Sequence, residues 1–272
     1  MGLHNVAENN ASVDSRKLSS KEKKLRRREE LVKKKAVDEA IKSAYMKDDH
    51  LVGFPAFHTY DRNGLLVRLE SGSGEHLSSP LKRYIQELLK VNMQGAYGPE
   101  WAAEEKIKRR EMVAPEARYI FVRSMQSADN GHLSNINNTE EAHECHWSGD
   151  GDPVVAFVHY RFIVEEEIPV VYVYELQLEQ CVQGRGLGKF LMQLIELIAR
   201  KNHMKAVMLT VQKRNISAMN FYTSKLRYII SSISPSRVDP LIGAEKSYEI
   251  LCKTFDSEAK TKLEEDGSSG AE

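Results

Sequence analysis

The sequence has three cysteines in 272 residues, Cys145, Cys181 and Cys252. They form no disulfide framework, which fits a reducing compartment. No apolar run approaches the roughly 18 residues that a membrane-crossing helix needs. The N-terminus carries no apolar stretch of the signal-peptide kind. Met1-Gly2 opens like a myristoylation signal, but Val6 stands where Ser or Thr is wanted. Net charge is missing too: 39 Lys and Arg balance 39 Asp and Glu, so whole-molecule charge selects no partner. The length suits one core with extensions.

What is present centres on Val170 to Arg200. Val170 to Leu178 is rich in β-branched and aromatic residues, which suit a half-buried strand. From Leu187 on, Leu187, Phe190, Leu191, Leu194, Ile195 and Ile198 recur at three and four, the period of one helical face. Between strand and helix lies Gln183-Gly184-Arg185-Gly186-Leu187-Gly188-Lys189. Glycines allow a tight turn and expose bare N–H groups. The helix start adds unpaired donors and the positive end of its dipole, so an anion such as a phosphate or pyrophosphate is favoured.

Two phosphate loops are excluded. A Walker loop needs Ser or Thr after its lysine, and Phe190 follows Lys189. The dinucleotide fingerprint needs a third glycine where Lys189 stands. The stretch resembles instead the Q/R-x-x-G-x-G/A loop of the GNAT acetyltransferases, with Gln183, Gly186 and Gly188 in the motif positions. Within that family, YVYELQLE at 172–179 and GLGKFL at 186–191 are similar to the NatD branch, which acetylates histone H4 and histone 2A. So are FPAFHTYDRNGL at 54–65, YIQELLKVNMQGAYGPEW at 84–101, VMLTVQKRNISAMNFY at 207–222, SSISPS at 231–236 and SYEIL at 247–251.

The resemblance implies a mixed α/β (α+β) fold, the GNAT acyl-CoA N-acyltransferase fold, with a central twisted, mostly antiparallel sheet flanked by helices. It implies acetyl-CoA as co-substrate, no metal, and peptide substrates with Ser-Gly-Arg-Gly type N-termini. The implied cofactor-binding residues are Leu176, Gln177, Leu178, Gln183, Gly184, Arg185, Gly186, Leu187, Gly188, Lys189, Asn215 and Tyr222. Tyr97, Trp101, Glu165, Tyr174, Thr210 and Tyr248 match peptide-contacting positions. Glu175 matches the catalytic base, flanked by Tyr172 and Tyr174. The chain departs from these relatives at Ile163, where they carry Asp, and in a longer connection at 124–153.

The residues themselves say why Glu175 suits the task. A protein α-amine has a pKa of about 7.7–8.0, against about 10.4 for lysine, so one carboxylate can take its proton near neutral pH. Tyr174 and Glu175 are neighbours, however, and a regular strand points them to opposite faces. Both reach one site only if the strand bulges near Tyr174.

Residues 1–19 read as a disordered, polar N-terminus and 20–48 as a basic helix opened by a Ser19–Glu22 capping box. Its dense Lys/Arg block suits a nuclear import signal, a chromatin contact or a solvated face; with the resemblance it implies nucleus and cytoplasm. The enzyme domain is expected at 49–256, with helices over Leu81 to Met93 and Ala102 to Met112 and an aromatic pair, Tyr97 and Trp101, in a Gly/Pro loop between them. Ala117 to Arg123 and Val154 to Phe162 read as a hairpin. Further elements are a strand over Ala206 to Val211 and a helix over Ser217 to Leu226. Residues 257–272 read as a disordered tail. His143, Cys145 and His146 match no standard zinc spacing, and Asn137-Asn-Thr139 is a glycosylation sequon by pattern only. No nucleic-acid recognition, no membrane and a monomer are expected. Two other functions stay open: acetylation of lysine side chains or small amines, and a non-catalytic chromatin-binding module of the same fold.

Overall fold

The computed structural model describes residues 19–125 and 146–265. His143, Cys145, the sequon and residues 1–18 lie outside these. The chain divides into two units, Met1–Ala36 and Val37–Glu272. In the first, residues 19–36 are exposed throughout and helical, as the start of helix α1 (Ser20–Tyr45). The capping box forms: Glu22 N–H donates to Ser19 Oγ at 3.3 Å, and Ser19 N–H to Glu22 Oε2 at 2.7 Å.

In the second unit, eight strands form one sheet in the order β1-β2-β3-β4-β5-β6-β8-β7. They are β1 (Thr59–Arg62), β2 (Leu65–Ser73), β3 (Arg118–Ser124), β4 (Val154–Glu165), β5 (Ile168–Leu178), β6 (Ala206–Gln212), β7 (Ile229–Ile230) and β8 (Tyr248–Thr254). Only β5 and β6 run parallel; every other neighbouring pair is antiparallel. The helices are α2 (Ser79–Tyr97), α3 (Trp101–Glu111), α4 (Leu187–Lys201), α5 (Ile216–Asn220), α6 (Pro235–Val238), α7 (Pro240–Glu245) and α8 (Ser257–Leu263), with a π-helical turn at Phe221–Lys225. The expected mixed, mostly antiparallel architecture is therefore present.

Alternation along the strands sorts the core. Ile120 and Val122, Ala156 and Val158, Val171, Val207 and Leu209 pack with α4 on one face. Their neighbours Tyr119, Phe121 and Phe157 pack with α2 and Trp101 on the other. On that second face, beyond β5, Val170, Ala206, Met208 and Cys252 pack with α8. The second face thus carries two apolar clusters, with Tyr172, Tyr174 and Thr210 on the strands between them.

Several boundaries differ from those expected of the sequence. Helix α1 stops at Tyr45, not 48. Helix α2 runs on to Tyr97, so the aromatic pair closes one helix and opens the next and is not held in a loop. The expected helix over Ser217 to Leu226 splits into α5 and the π-helical turn.

The disordered tail is a correction. Residues 257–263 form α8, capped by Asp256 accepting from the Ala259 N–H at 2.9 Å. Ala259 and Leu263 are fully buried. These two are its buried apolar side chains, too few in a charged segment to show as periodicity, and hydrogen bonds from Ser231 Oγ and the Ser232 N–H to the Leu263 carbonyl help to hold it. Leu263→Ala is expected to destabilise the protein by about 2–5 kcal/mol, read as a lowered urea midpoint; an unchanged midpoint would return this segment to the tail.

Candidate functional site

The site begins with one extra residue in β5. Against β4, Val173 pairs with Tyr160 and Glu175 with His159, so Tyr174 has no partner and the register shifts there. This is the expected bulge. Before it, Val171 and Val173 face the α4 core; after it, Leu176 and Leu178 do. The parity has flipped. Tyr172, Tyr174, Glu175 and Gln177 consequently share the opposite face, which a regular strand forbids.

The bulge also ends pairing with β6. The parallel ladder covers only Val170–Val173 against Ala206–Leu209, while both strands continue. Beyond this point the two strands no longer pair with each other, though β5 stays paired with β4 and β6 with β8. A groove of about 1140 Å³ lies there, lined by Leu176, Gln177, Leu178, Gln183, Gly184, Gly186, Gly188, Lys189, Asn215 and Tyr222 from the expected cofactor set. Residues that the sequence does not single out also line it, among them Asn92, Ser217, Asn220 and Lys225. Asn92 Nδ2 donates to Gln177 Oε1 at 3.0 Å and to the Leu178 carbonyl at 3.2 Å, fixing the groove wall to α2.

Two expected cofactor residues do not line the groove. Leu187 is fully buried in the α4 core, so only its backbone can serve a ligand. Arg185 turns away, its guanidinium donating to the Gly64 carbonyl at 3.2 Å. Its own carbonyl accepts from Tyr60 Oη at 2.6 Å and Asn63 Nδ2 at 2.8 Å. The β1–β2 turn therefore holds the glycine turn from behind. Gly184 and Gly186 both have positive φ, 72° and 87°, which L side chains rarely adopt. Gly186 opens α4 as its N-cap, placing the helix's unpaired N–H groups at the groove. Asn215 caps α5 through its side-chain oxygen, 3.1 Å from the Ala218 nitrogen. Only its Nδ2 is left for a ligand.

Glu175 is buried next to this groove and is not one of the residues that line it. Gln177 Nε2 donates to its Oε2 at 2.9 Å, and Lys108 Nζ stands 2.5 Å from Oε1. Lys108 is missing from the residues expected of the sequence, because α3 reads as a solvated, charged helix. Burial pulls its ammonium towards deprotonation, but Glu175 outweighs that and holds it above the ordinary lysine range. The ammonium also lies 5.8 Å from the centre of the Tyr97 ring and 3.9 Å from Glu111 Oε2.

The tyrosines line one side of this slot. Tyr172 Oη lies 2.6 Å from Thr210 Oγ1; burial pushes the phenol up to about 12. The Tyr174 ring stacks on His159 at 4.9 Å, and the Arg161 guanidinium covers it at 4.3 Å. Burial, helped by Arg161 and Lys108, keeps His159 neutral. Tyr248 pairs with Gln212 across β6 and β8. Glu165 ends β4 on the same face, half-buried, its carboxyl raised by burial and by Glu166. Trp101 is different: it is 6 % exposed and packs in the core behind Tyr97, ring centres 5.9 Å apart. Ile163 packs into the α8 cluster.

Among the described residues no three His, Cys, Asp or Glu side chains gather as metal ligands. His146, at the rim of the groove, instead bonds Glu179 through Nδ1 at 2.8 Å.

The two glycines of the turn separate by experiment. A Cβ on Gly186 would stand 2.8 Å from Tyr60 Oη, which is itself tied down, whereas one on Gly184 meets nothing within 4 Å. Gly184→Ala is expected to cost only the backbone strain of roughly 1–2 kcal/mol. Gly186→Ala should cost clearly more in the same urea titration; equal losses would remove Tyr60 as a constraint.

Residues 101–227 match the model of the Acetyltransferase (GNAT) family. Similar solved structures include the PaiA N-acetyltransferase of Thermoplasma acidophilum in complex with coenzyme A (18% identity, 70% of this chain and 99% of that one, TM-score 0.44). A GNAT-family acetyltransferase of Listeria monocytogenes is similar at 9% identity (72% and 99%, TM-score 0.43). So is the NatC complex bound to Gag peptide and CoA, at 11% identity (69% and 99%, TM-score 0.42). The family match runs through the bulge of β5 and the glycine turn, where the geometry had already put the groove, and the mixed sheet flanked by helices is the GNAT fold of the acetyltransferases that this region resembles.

Proposed function

We propose that this enzyme transfers the acetyl group of acetyl-CoA to the free N-terminal α-amine of histone H4 and histone 2A. The observation that carries the reading is the β5 bulge, which sets Tyr172, Tyr174 and Glu175 on one face beside a groove that ends in bare helix-start amides. Those amides, around Arg185 to Lys189, suit the pyrophosphate of the cofactor. The edge of Leu176 to Leu178 that no longer pairs with β6 and the Asn215 amide suit its pantetheine arm.

The chemistry follows from the groups present. The peptide amine attacks the thioester carbonyl carbon, the C–N bond forms, and the C–S bond breaks as the coenzyme thiolate leaves. The proton lost from nitrogen passes to Glu175, directly or through a water. An α-amine needs less help in losing that proton than a lysine does, which favours N-terminal over side-chain substrates. Tyr222, buried in the groove wall with its phenol raised by burial, is the group we read as a proton donor to the leaving sulfur.

Peptide choice rests on the slot. Tyr97, Tyr174, Thr210 and Tyr248 shape it, and Glu165 supplies one carboxylate for the arginine of a Ser-Gly-Arg-Gly terminus. Ile163, in its apolar setting, supplies none. The arginine is therefore gripped by a single acidic side chain. The exposed block from Lys21 to Lys35 suits an import signal, and with it a nuclear and cytoplasmic distribution. We read the enzyme as acting as a monomer.

Two measurements test this. Glu175→Gln is expected to keep coenzyme A affinity by calorimetry and to lower turnover at least a hundredfold; undiminished turnover would remove Glu175 from the chemistry. In a peptide panel, Ser-Gly-Arg-Gly termini should be acetylated and acetyl-blocked peptides bearing internal lysines should not. Changing the peptide's arginine to alanine should raise KM about tenfold, the value of one charge-assisted contact. Preference for the blocked, lysine-bearing peptides would overturn the reading in favour of a side-chain acetyltransferase.

A further inference from the structure

If Glu175 is the base of the proposed acetyl transfer, an assignment on which this inference rests, its oxygens must be open to a proton. In the resting enzyme both are engaged, Oε1 by Lys108 at 2.5 Å and Oε2 by Gln177 at 2.9 Å. An amine or water approaching Glu175 therefore meets a carboxylate that already has one donor against each oxygen, one of them a full positive charge. Gln177 lies two residues along the same strand, a neutral neighbour with a short side chain. Lys108 comes from α3 on a long flexible stem, and it already has a second carboxylate in range: Glu111 Oε2, one helical turn away at 3.9 Å.

We propose that Lys108 is a positioning residue that pairs with Glu175 while it is a carboxylate and passes to Glu111 as Glu175 takes the proton. The driving force is plain electrostatics. Proton arrival removes the charge that holds the ammonium against Glu175, and at low effective dielectric that attraction is large. Glu111 then offers the better partner. When the proton leaves, the pair with Glu175 re-forms and restores the carboxylate for the next cycle.

Other groups around Glu175 do not duplicate this role. Tyr97 on α2, Tyr119 on β3 and Tyr222 beyond β6 sense its charge, but burial holds all three phenols above their ordinary range. On β4, His159 is kept neutral by burial, and Arg161 is engaged by the Glu111 carbonyl oxygen at 2.8 Å and by the Tyr174 ring. Glu104 on α3 bears on Tyr97 and Glu111. Among the described residues Lys108 is the cation in contact with Glu175. Burial raises the Glu111 carboxyl and Lys108 draws it back down, so a closer ammonium would favour its charged form.

The test is kcat against pH, from about 6 to 10, at saturating acetyl-CoA and Ser-Gly-Arg-Gly peptide. The peptide amine contributes the same limb to every variant. Lys108→Met, which removes the ammonium held against Glu175, should lower kcat at pH 7 about tenfold and regain it as the pH rises, so that the acidic limb lies at higher pH than in the unaltered enzyme. Lys108→Arg should keep the limb near its original place. Glu111→Gln, which leaves the lysine no second partner, should lower kcat at every pH without moving the limb upward.

A parallel loss at all pH values in Lys108→Met would mean a merely structural role and overturn the proposal, as would unreduced kcat in Glu111→Gln. Coenzyme A affinity reports folding; if Lys108→Met fails to bind, Glu111→Gln decides alone. Glu175→Gln separates the two levels. An inactive Glu175→Gln beside an unmoved Lys108→Met limb sinks only the lysine transfer, whereas an active Glu175→Gln sinks the base assignment and the lysine transfer with it.

Discussion

One unpaired residue in β5 governs the molecule. Without the bulge at Tyr174, β5 would continue its ladder with β6, and the groove would be closed by backbone hydrogen bonds. Without it, too, Glu175 would face the α4 core beside Val173, where a charge has no partner. The bulge costs ladder bonds and leaves backbone donors and acceptors unpaired. A ligand laid along Leu176 to Leu178 can take them up. The same irregularity therefore creates the opening, supplies polar groups to its wall and turns the acid towards it.

The glycine turn after β5 is held from outside. Its glycines permit the conformation, but permission is not position. Position comes from Tyr60 and Asn63, which grip the Arg185 carbonyl, and from Phe57 and Tyr60, whose rings pack on Phe190 at 4.7 and 5.0 Å. The β1–β2 hairpin thus fixes both the turn and the first turn of α4. Asn92 does the same on the opposite wall. A loop that must present bare N–H groups to an anion loses affinity if it has to be ordered on binding, and this one is ordered in advance.

What could be read in the sequence was local and periodic. The β5 strand, the glycine turn and the α4 face announce themselves within some thirty residues. Adjacent Tyr174 and Glu175 called for the bulge once the resemblance assigned both to one site. What could not be read was non-local. Lys108 sits in a run of alternating charges, Glu104-Glu105-Lys106-Ile107-Lys108-Arg109-Arg110-Glu111, in which nothing marks the one lysine that turns inward. Trp101 looked like a slot residue beside Tyr97, yet one helical start later it points into the core. Helix α8 hid because a charged segment with two buried residues has no stripe to detect; Lys262 even reaches the β4–β5 turn, bonding Glu167 at 2.5 Å.

The buried ion pair brings bulge, slot and chemistry together. A lone carboxylate in a wall of tyrosines would be desolvated and driven towards its neutral form, useless as a proton acceptor. A permanently locked pair would keep the charge and block the proton instead. Breaking a buried pair outright costs about 3–5 kcal/mol, a penalty every turnover would meet. The proposed transfer of Lys108 between the two carboxylates in its reach avoids both failures, because the charge it leaves behind is cancelled by the incoming proton.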